Sequence, residues 1–178
     1  MNKKEKLIKK NLIYEGKILS LYNDEIETPI GKKSYREIVR HSKGVACLAL
    51  MDGYIYFVKQ YRYAYDKEIL ELPAGKVEED ENIFNAIKRE LKEEIGFISN
   101  HMEYLGYIYP SVGYTDEIIH LFFSSDNVIS TTDRDEDEFI DIIKIKIKDA
   151  YSMLDNNEFE DAKTIILLSK LRKVLMKD

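Results

Sequence analysis

Leu72-Pro-Ala-Gly-Lys-Val-Glu-Glu-Asp-Glu81 runs directly into Asn82-Ile-Phe-Asn-Ala-Ile-Lys-Arg-Glu-Leu-Lys-Glu-Glu-Ile-Gly-Phe97, and the chain is organised around this stretch. The second part reads as one helix. Asp80 is placed to cap its N-terminus, acidic residues crowd the first turn where the helix dipole favours negative charge, and Gly96 can stop the far end. At about 100° per residue, Ile83, Ala86 and Ile87 share a face, and the same face continues through Glu90, Leu91 and Glu94. Two carboxylates therefore stand where core residues would otherwise extend the stripe.

One account of these carboxylates is a solvated acidic face paired with Lys88, Arg89 and Lys92. Position favours another. Glu90 and Glu94 lie one turn apart where the stripe would bury them, and buried like charges are costly unless a cation lies between them. An oxygen-rich pair suits a hard ion such as Mg²⁺, which keeps several waters and needs few carboxylates when a phosphate completes its shell. Arg89, one turn before Glu93, is placed to orient that third carboxylate. Gly75 permits a tight loop in which a backbone carbonyl, that of Ala74, faces the ion.

The pattern Gly75, five residues, Glu81, seven residues, then Arg89-Glu90-Leu91-Lys92-Glu93-Glu94-Ile95-Gly96-Phe97 resembles a complete Nudix box, with every defining position present over 23 residues. The resemblance implies an α+β fold, a Nudix-type α/β/α sandwich around a mixed sheet. It also implies Mg²⁺-dependent hydrolysis of a nucleoside diphosphate linked to another group. Carried over residue by residue, Glu90 and Glu94 are metal ligands, Glu93 an auxiliary ligand or base, Arg89 its orienter and Ala74 a carbonyl ligand.

Length and composition set the frame. A chain of 178 residues suffices for one domain with a sizeable core, or for one domain carrying a small extra lobe. With 44% hydrophobic and 34% charged residues it is an ordinary globular sequence. No apolar run approaches the roughly 18 residues of a membrane span. The basic start, Met1 to Lys10, leads into no apolar signal region, so a cytoplasmic protein is expected. A net charge of −6 argues against affinity for nucleic acid polymers, though not for a small phosphate compound. The single Cys47, within Val45-Ala-Cys-Leu-Ala-Leu50, reads as a buried inert thiol. His41, His101 and His120 lack metal-ligand spacing.

Before the box, Leu12–Tyr14, Ile18–Tyr22, Glu25–Thr28 and Tyr35–Arg40 read as strands, with a turn at Pro29–Lys33. Residues 1–42 thus form an N-terminal antiparallel β-sheet region that would be marginal alone and is expected to pack on the main domain or dimerise, and 43–178 form the principal domain. Gly44–Met51 and Tyr54–Tyr61 read as a hairpin turning at Asp52-Gly53. Arg62 ends that strand, as a solvated strand-end charge or a phosphate ligand, and Glu71 is expected to point into the same cleft. After the box, Tyr104–Tyr109 and Glu117–Phe123 read as strands around a turn-rich loop. Asp116 and Glu117 in that region suit sugar hydroxyls or a plain surface turn.

Pro110-Ser-Val-Gly-Tyr-Thr-Asp-Glu117 is similar to the loop that follows the box in ADP-ribose pyrophosphatases, with Val112 where that subfamily has proline. Thr131–Glu138 is a solvated loop on composition alone. In the subfamily an acidic loop at this place closes over the substrate, which makes Glu136 the match for the general base and Glu138 a further metal contact. Asp135 and Asp137 compete for those roles. Phe139–Ile147 then alternates as a strand, Asp149–Leu154 forms a short helix and Asp161–Met176 a longer one, and Glu160–Thr164 resembles the start of the subfamily's last helix.

The implied reaction converts ADP-ribose to AMP and ribose 5-phosphate, with two or more Mg²⁺ (or Mn²⁺) ions per site. Arg62 binds a phosphate, and Arg36, from this subunit or its homodimer neighbour, lies near the nucleobase or terminal sugar. Glu71 and Glu117 complete the expected substrate contacts. The alternatives are another Nudix substrate (a nucleotide sugar, dinucleotide or oxidised nucleoside triphosphate) and a non-catalytic nucleotide-binding module.

Overall fold

The structure, a computed structural model, describes residues 3–132 and 139–177. It divides into two compact units: residues 1–43 with 109–118, and residues 44–108 with 119–178. The loop segment 109–118 therefore groups with the N-terminal strands.

The first unit is a four-stranded antiparallel sheet of β1 (Lys6–Lys9), β2 (Leu12–Glu15), β3 (Leu19–Glu27) and β4 (Lys33–His41). β4 pairs with β3 from Leu19↔His41 to Glu27↔Lys33, so β1 and β2 share the other edge of β3. The segments expected separately at Ile18–Tyr22 and Glu25–Thr28 are thus one continuous strand. Two backbone bonds tie the later loop in: Val39 donates to the Tyr114 carbonyl at 2.8 Å and Asp116 donates to that of Val39 at 3.2 Å. The Asp116 carboxylate accepts from Arg40 Nη1 at 2.9 Å and from the His41 amide at 3.0 Å. Burial would push the Asp116 carboxyl up, and these bonds outweigh it and hold the group below its ordinary value.

In the second unit, β5 (Gly44–Met51) and β6 (Tyr54–Arg62) form the expected hairpin. A 3-10 turn (Tyr63–Tyr65) leads to β7 (Lys67–Glu71) and β8 (Ala74–Lys76). Then come α1 (Ile83–Ile95), β9 (Phe97–Ile108), β10 (Ile119–Ile129), β11 (Ile140–Lys146), α2 (Ile147–Asp155) and α3 (Ala162–Leu175). The strands make one seven-stranded sheet in the order β11-β6-β5-β10-β9, with β7 added to β6 and β8 to β5. β10 runs parallel to β5 and antiparallel to β9, so the sheet is mixed, as expected.

Strand alternation explains the layers. On β5, Val45, Cys47 and Ala49 face a core shared with Ala86, Ile87, Leu91 and Ile95 of α1. Ala46 and Leu48 face the other core, shared with Ala150 and Tyr151 of α2 and Leu167, Leu168 and Leu171 of α3. A strand buried on both faces reads as a continuous apolar run, and helices on each face complete the α/β/α sandwich. Cys47 is fully buried, and burial pushes its thiol well up, in keeping with an inert side chain.

The start of α1 differs from expectation. Asn82, not Asp80, is the cap: its side chain accepts from the amides of Phe84 at 3.1 Å and Asn85 at 2.9 Å. The helix begins at Ile83 with no acidic residue in its first turn, and Asp80 takes a left-handed φ of 61° in the preceding turn. An amide side chain satisfies the exposed helix donors as well as a carboxylate does, so the cap falls where the apolar stripe starts. Gly96, with φ of 69°, ends the helix as expected.

Candidate active site

The stripe on α1 places its carboxylates as periodicity requires. Glu94 is 6% exposed and the Glu90 side chain 12%. Glu94 Oε2 accepts from the Ala74 amide at 2.9 Å, joining the buried carboxylate to the short strand β8. Glu90 lies against the neighbouring residue of the same strand. A Cβ on Gly75 would fall 1.9 Å from Glu90 Cδ and within 2.2 Å of both its oxygens. Gly75 has an ordinary strand backbone with no positive φ. Its lack of a side chain makes room for Glu90, rather than permitting the tight loop that the sequence suggests.

Arg89 holds the rest of the cluster. Its Nη1 donates to Glu90 Oε1 at 2.8 Å and Glu93 Oε2 at 2.9 Å. Nε and Nη2 grip the two oxygens of Glu81 at 3.1 and 3.0 Å, and Nη2 also donates to the Lys76 carbonyl at 2.8 Å. One guanidinium fork thus ties the loop after β8 to three carboxylates. Glu81 is correspondingly held below the ordinary carboxylate range, chiefly by its bonds to Arg89. Glu81, one of the acidic residues expected to complement the helix dipole, serves as a counter-ion to Arg89 instead.

A second polar cluster lies at the end of β7. Glu71, only 4% exposed, accepts from Arg62 Nε at 2.6 Å and Nη2 at 2.9 Å, and from Lys163 of α3 at 2.5 Å. Burial alone would push Glu71 up; Arg62 and Lys163 outweigh it and hold the carboxyl below its ordinary value. Arg62 is raised first by its bond to Glu71, and the charge on Glu94 contributes as well, which links this cluster electrostatically to the box helix.

Lys163 has no assigned role in the sequence reading. A signal for it exists: it stands four residues before Leu167 and eight before Leu171, on the buried stripe of α3. The same periodicity that picks out Glu90 and Glu94 predicts a buried lysine there.

In the first unit, Arg36 pairs with Glu5 and donates from Nη1 to the Tyr35 carbonyl at 2.8 Å. Glu117 lies 3.7 Å from His41 Nδ1. Glu136 and Glu138, with Asp135 and Asp137, lie outside the described residues.

The carboxylates of Glu90, Glu93 and Glu94 supply oxygen donors of the kind a hard divalent cation takes. Among the described residues, no three acidic, histidine or cysteine side chains converge as a ready metal shell. Arg89 and the Ala74 amide hold the carboxylates instead. An ionised carboxylate has about four acceptor positions, so these bonds orient the groups without by themselves exhausting them. The residues fit the ion.

A mixed-sheet sandwich whose box helix presents this set is what the Nudix family is built on, and the chain belongs to that family of hydrolases: residues 40–168 match the NUDIX domain. It is 39% identical over 171 residues to an ADP-ribose pyrophosphatase of Bacillus subtilis strain 168, covering 94% of this chain and 92% of that protein. A methanol dehydrogenase activator of Bacillus methanolicus is 38% identical over the same shares of both chains. The crystal structure of an ADP compounds hydrolase superposes with a TM-score of 0.87 over 97% of this chain and 94% of that one; at 19% identity this likeness concerns the fold.

Proposed function

We propose that this chain hydrolyses the pyrophosphate of a nucleoside diphosphate sugar, with ADP-ribose giving AMP and ribose 5-phosphate. The observation that carries this is the buried pair Glu90 and Glu94 on one face of α1, against the Ala74–Gly75 backbone. The choice of ADP-ribose draws on the full-length relative of that name. A cytoplasmic homodimer completes the reading.

Glu90, Glu94 and the Ala74 carbonyl, together with Glu93 and Glu138, would hold two or more Mg²⁺ ions. Bound there, divalent ions supply charge neutralisation at the pyrophosphate and lower the pKa of a coordinated water. Arg89 holds Glu90 and Glu93 in fixed rotamers, so the acidic face is organised before substrate arrives. Arg62, fixed side-on by Glu71, offers its remaining donors to a phosphate as a permanently charged fork. Glu71 thus acts through Arg62, and its burial makes that a better role than direct substrate contact. Arg36 and Glu117 would meet the nucleobase or terminal sugar; Arg36→Ala leaving KM unchanged would remove Arg36 from this set. Glu136 would take the proton from the attacking water. Glu136→Gln should lower kcat while substrate still binds; an unchanged kcat would move the base to Glu93.

A substrate panel tests the function. ADP-ribose, ADP-glucose, diadenosine polyphosphates, NADH and oxidised nucleoside triphosphates are each assayed with Mg²⁺ and with chelator. Preference for ADP-ribose, lost with chelator, is the expected result. Preference for another compound would retain the metal site and overturn the substrate, and hydrolysis of none would favour a binding module.

A further inference from the structure

Lys163 has only 10% of its side chain exposed and lies on the core side of α3. An ammonium in such a place is costly unless paired, and it has two carboxylate partners, Glu71 and, at 3.0 Å, Asp161. A buried ion pair is weak for stability, since an apolar residue of similar volume often serves better. The arrangement of the partners suggests what the lysine does instead.

Glu71 Oε2 is shared: it accepts from Lys163 Nζ on one side and from Arg62 Nη2 on the other, while Oε1 takes Arg62 Nε. Two donors on Arg62 make its guanidinium coplanar with the carboxylate. Whatever fixes the Glu71 plane therefore fixes the Arg62 plane. The start of α3 fixes it twice. Lys163 holds the Glu71 side chain, and the next residue, Thr164, accepts from the Leu72 amide at 2.8 Å. Asp161 anchors both, taking Lys163 on one oxygen, and the Thr164 amide and hydroxyl at 3.0 and 2.6 Å on the other. Residues 71 and 72 are thus clasped by α3 two positions before Ala74, whose amide binds Glu94.

We infer that Lys163 is a positioning residue for Arg62, aligning its guanidinium for the substrate phosphate through their shared Glu71 carboxylate. This rests on the proposed role of Arg62 as a phosphate ligand. Lys163 touches no substrate, so its effect falls on binding through Arg62 rather than on the chemical step.

A double-mutant cycle in KM for ADP-ribose at saturating Mg²⁺ tests it, with Lys163→Met, Arg62→Ala and the pair, each checked for folding by thermal unfolding. K163M should raise KM on the order of tenfold with kcat within about twofold, and add nothing once Arg62 is alanine. An equal effect in both backgrounds would mean a purely structural lysine and overturn the inference, as would an unchanged KM in K163M. If R62A itself leaves KM unchanged, the phosphate-ligand reading fails first and takes this inference with it. Should K163M prove too unstable to assay, K163Q carries the same cycle with the same outcomes.

Discussion

Glu94 is held by the Ala74 amide and Glu90 packs against the bare backbone of Gly75. Glu90 and Glu94 follow from helical periodicity, because a stripe that is apolar at Ile83, Ala86, Ile87 and Leu91 can admit carboxylates only for a reason. Gly75 is different. Its position in the box is legible, but its physical cause is not, since the 1.9 Å approach to the Glu90 carboxyl joins residues from a strand and a helix. A methyl group there must displace the carboxylate. Gly75→Ala is therefore expected to lower kcat by displacing Glu90 and to cost about 1–3 kcal/mol of stability from overpacking. Wild-type activity and stability in that variant would show that Glu90 moves aside without consequence. The burial of Lys163 is equally legible, since it occupies a leucine position on its helix, but its partner Glu71 lies 92 residues away in sequence. Local pattern predicts the burial and is silent about the partner.

At the scale of elements, the hairpin at Asp52-Gly53, the box helix, β11 and α3 were legible because each carries its own period and its own stop. The cap of α1 falls at Asn82 rather than Asp80 because both are good caps, and the choice depends on where the loop after β8 delivers the chain. The sequence suggests two short strands where β3 is one, for a neighbour supplies the ladder that sequence alone does not show. The clasp of β7 by α3 has a pH signature. Glu71 is held below its ordinary value of 4.5, so its contribution to stability is present above that pH and is lost as pH falls through the lower folded value. Glu71→Gln should cost about 3 kcal/mol at pH 7, where the ionised partner of the buried Lys163 and the partly exposed Arg62 is removed. Thermal unfolding from pH 7 to pH 3 should show the gap to wild type closing below pH 4.5. A gap independent of pH would place the carboxyl outside the charged cluster.

For the whole molecule, the first unit bears on assembly. Leu7, Ile8, Leu12, Ile13 and Tyr14 of its strands, and Ile18 between β2 and β3, are exposed, an apolar content that suits a surface covered by a second copy. Sedimentation at micromolar concentration is expected to give a homodimer, and a stable monomer would remove that part of the proposal. Among the described residues no helix is long and apolar enough to cross a membrane. The second unit carries Glu90 and Glu94 between the sheet and α1, and the account of the whole chain depends on them. The most direct test is kcat for ADP-ribose at saturating Mg²⁺ in Glu94→Gln, beside wild type, with the fold verified by its unfolding transition. A fall on the order of 100-fold or more in a folded protein is the predicted result, and undiminished turnover would contradict the assignment of this helix face to the chemistry.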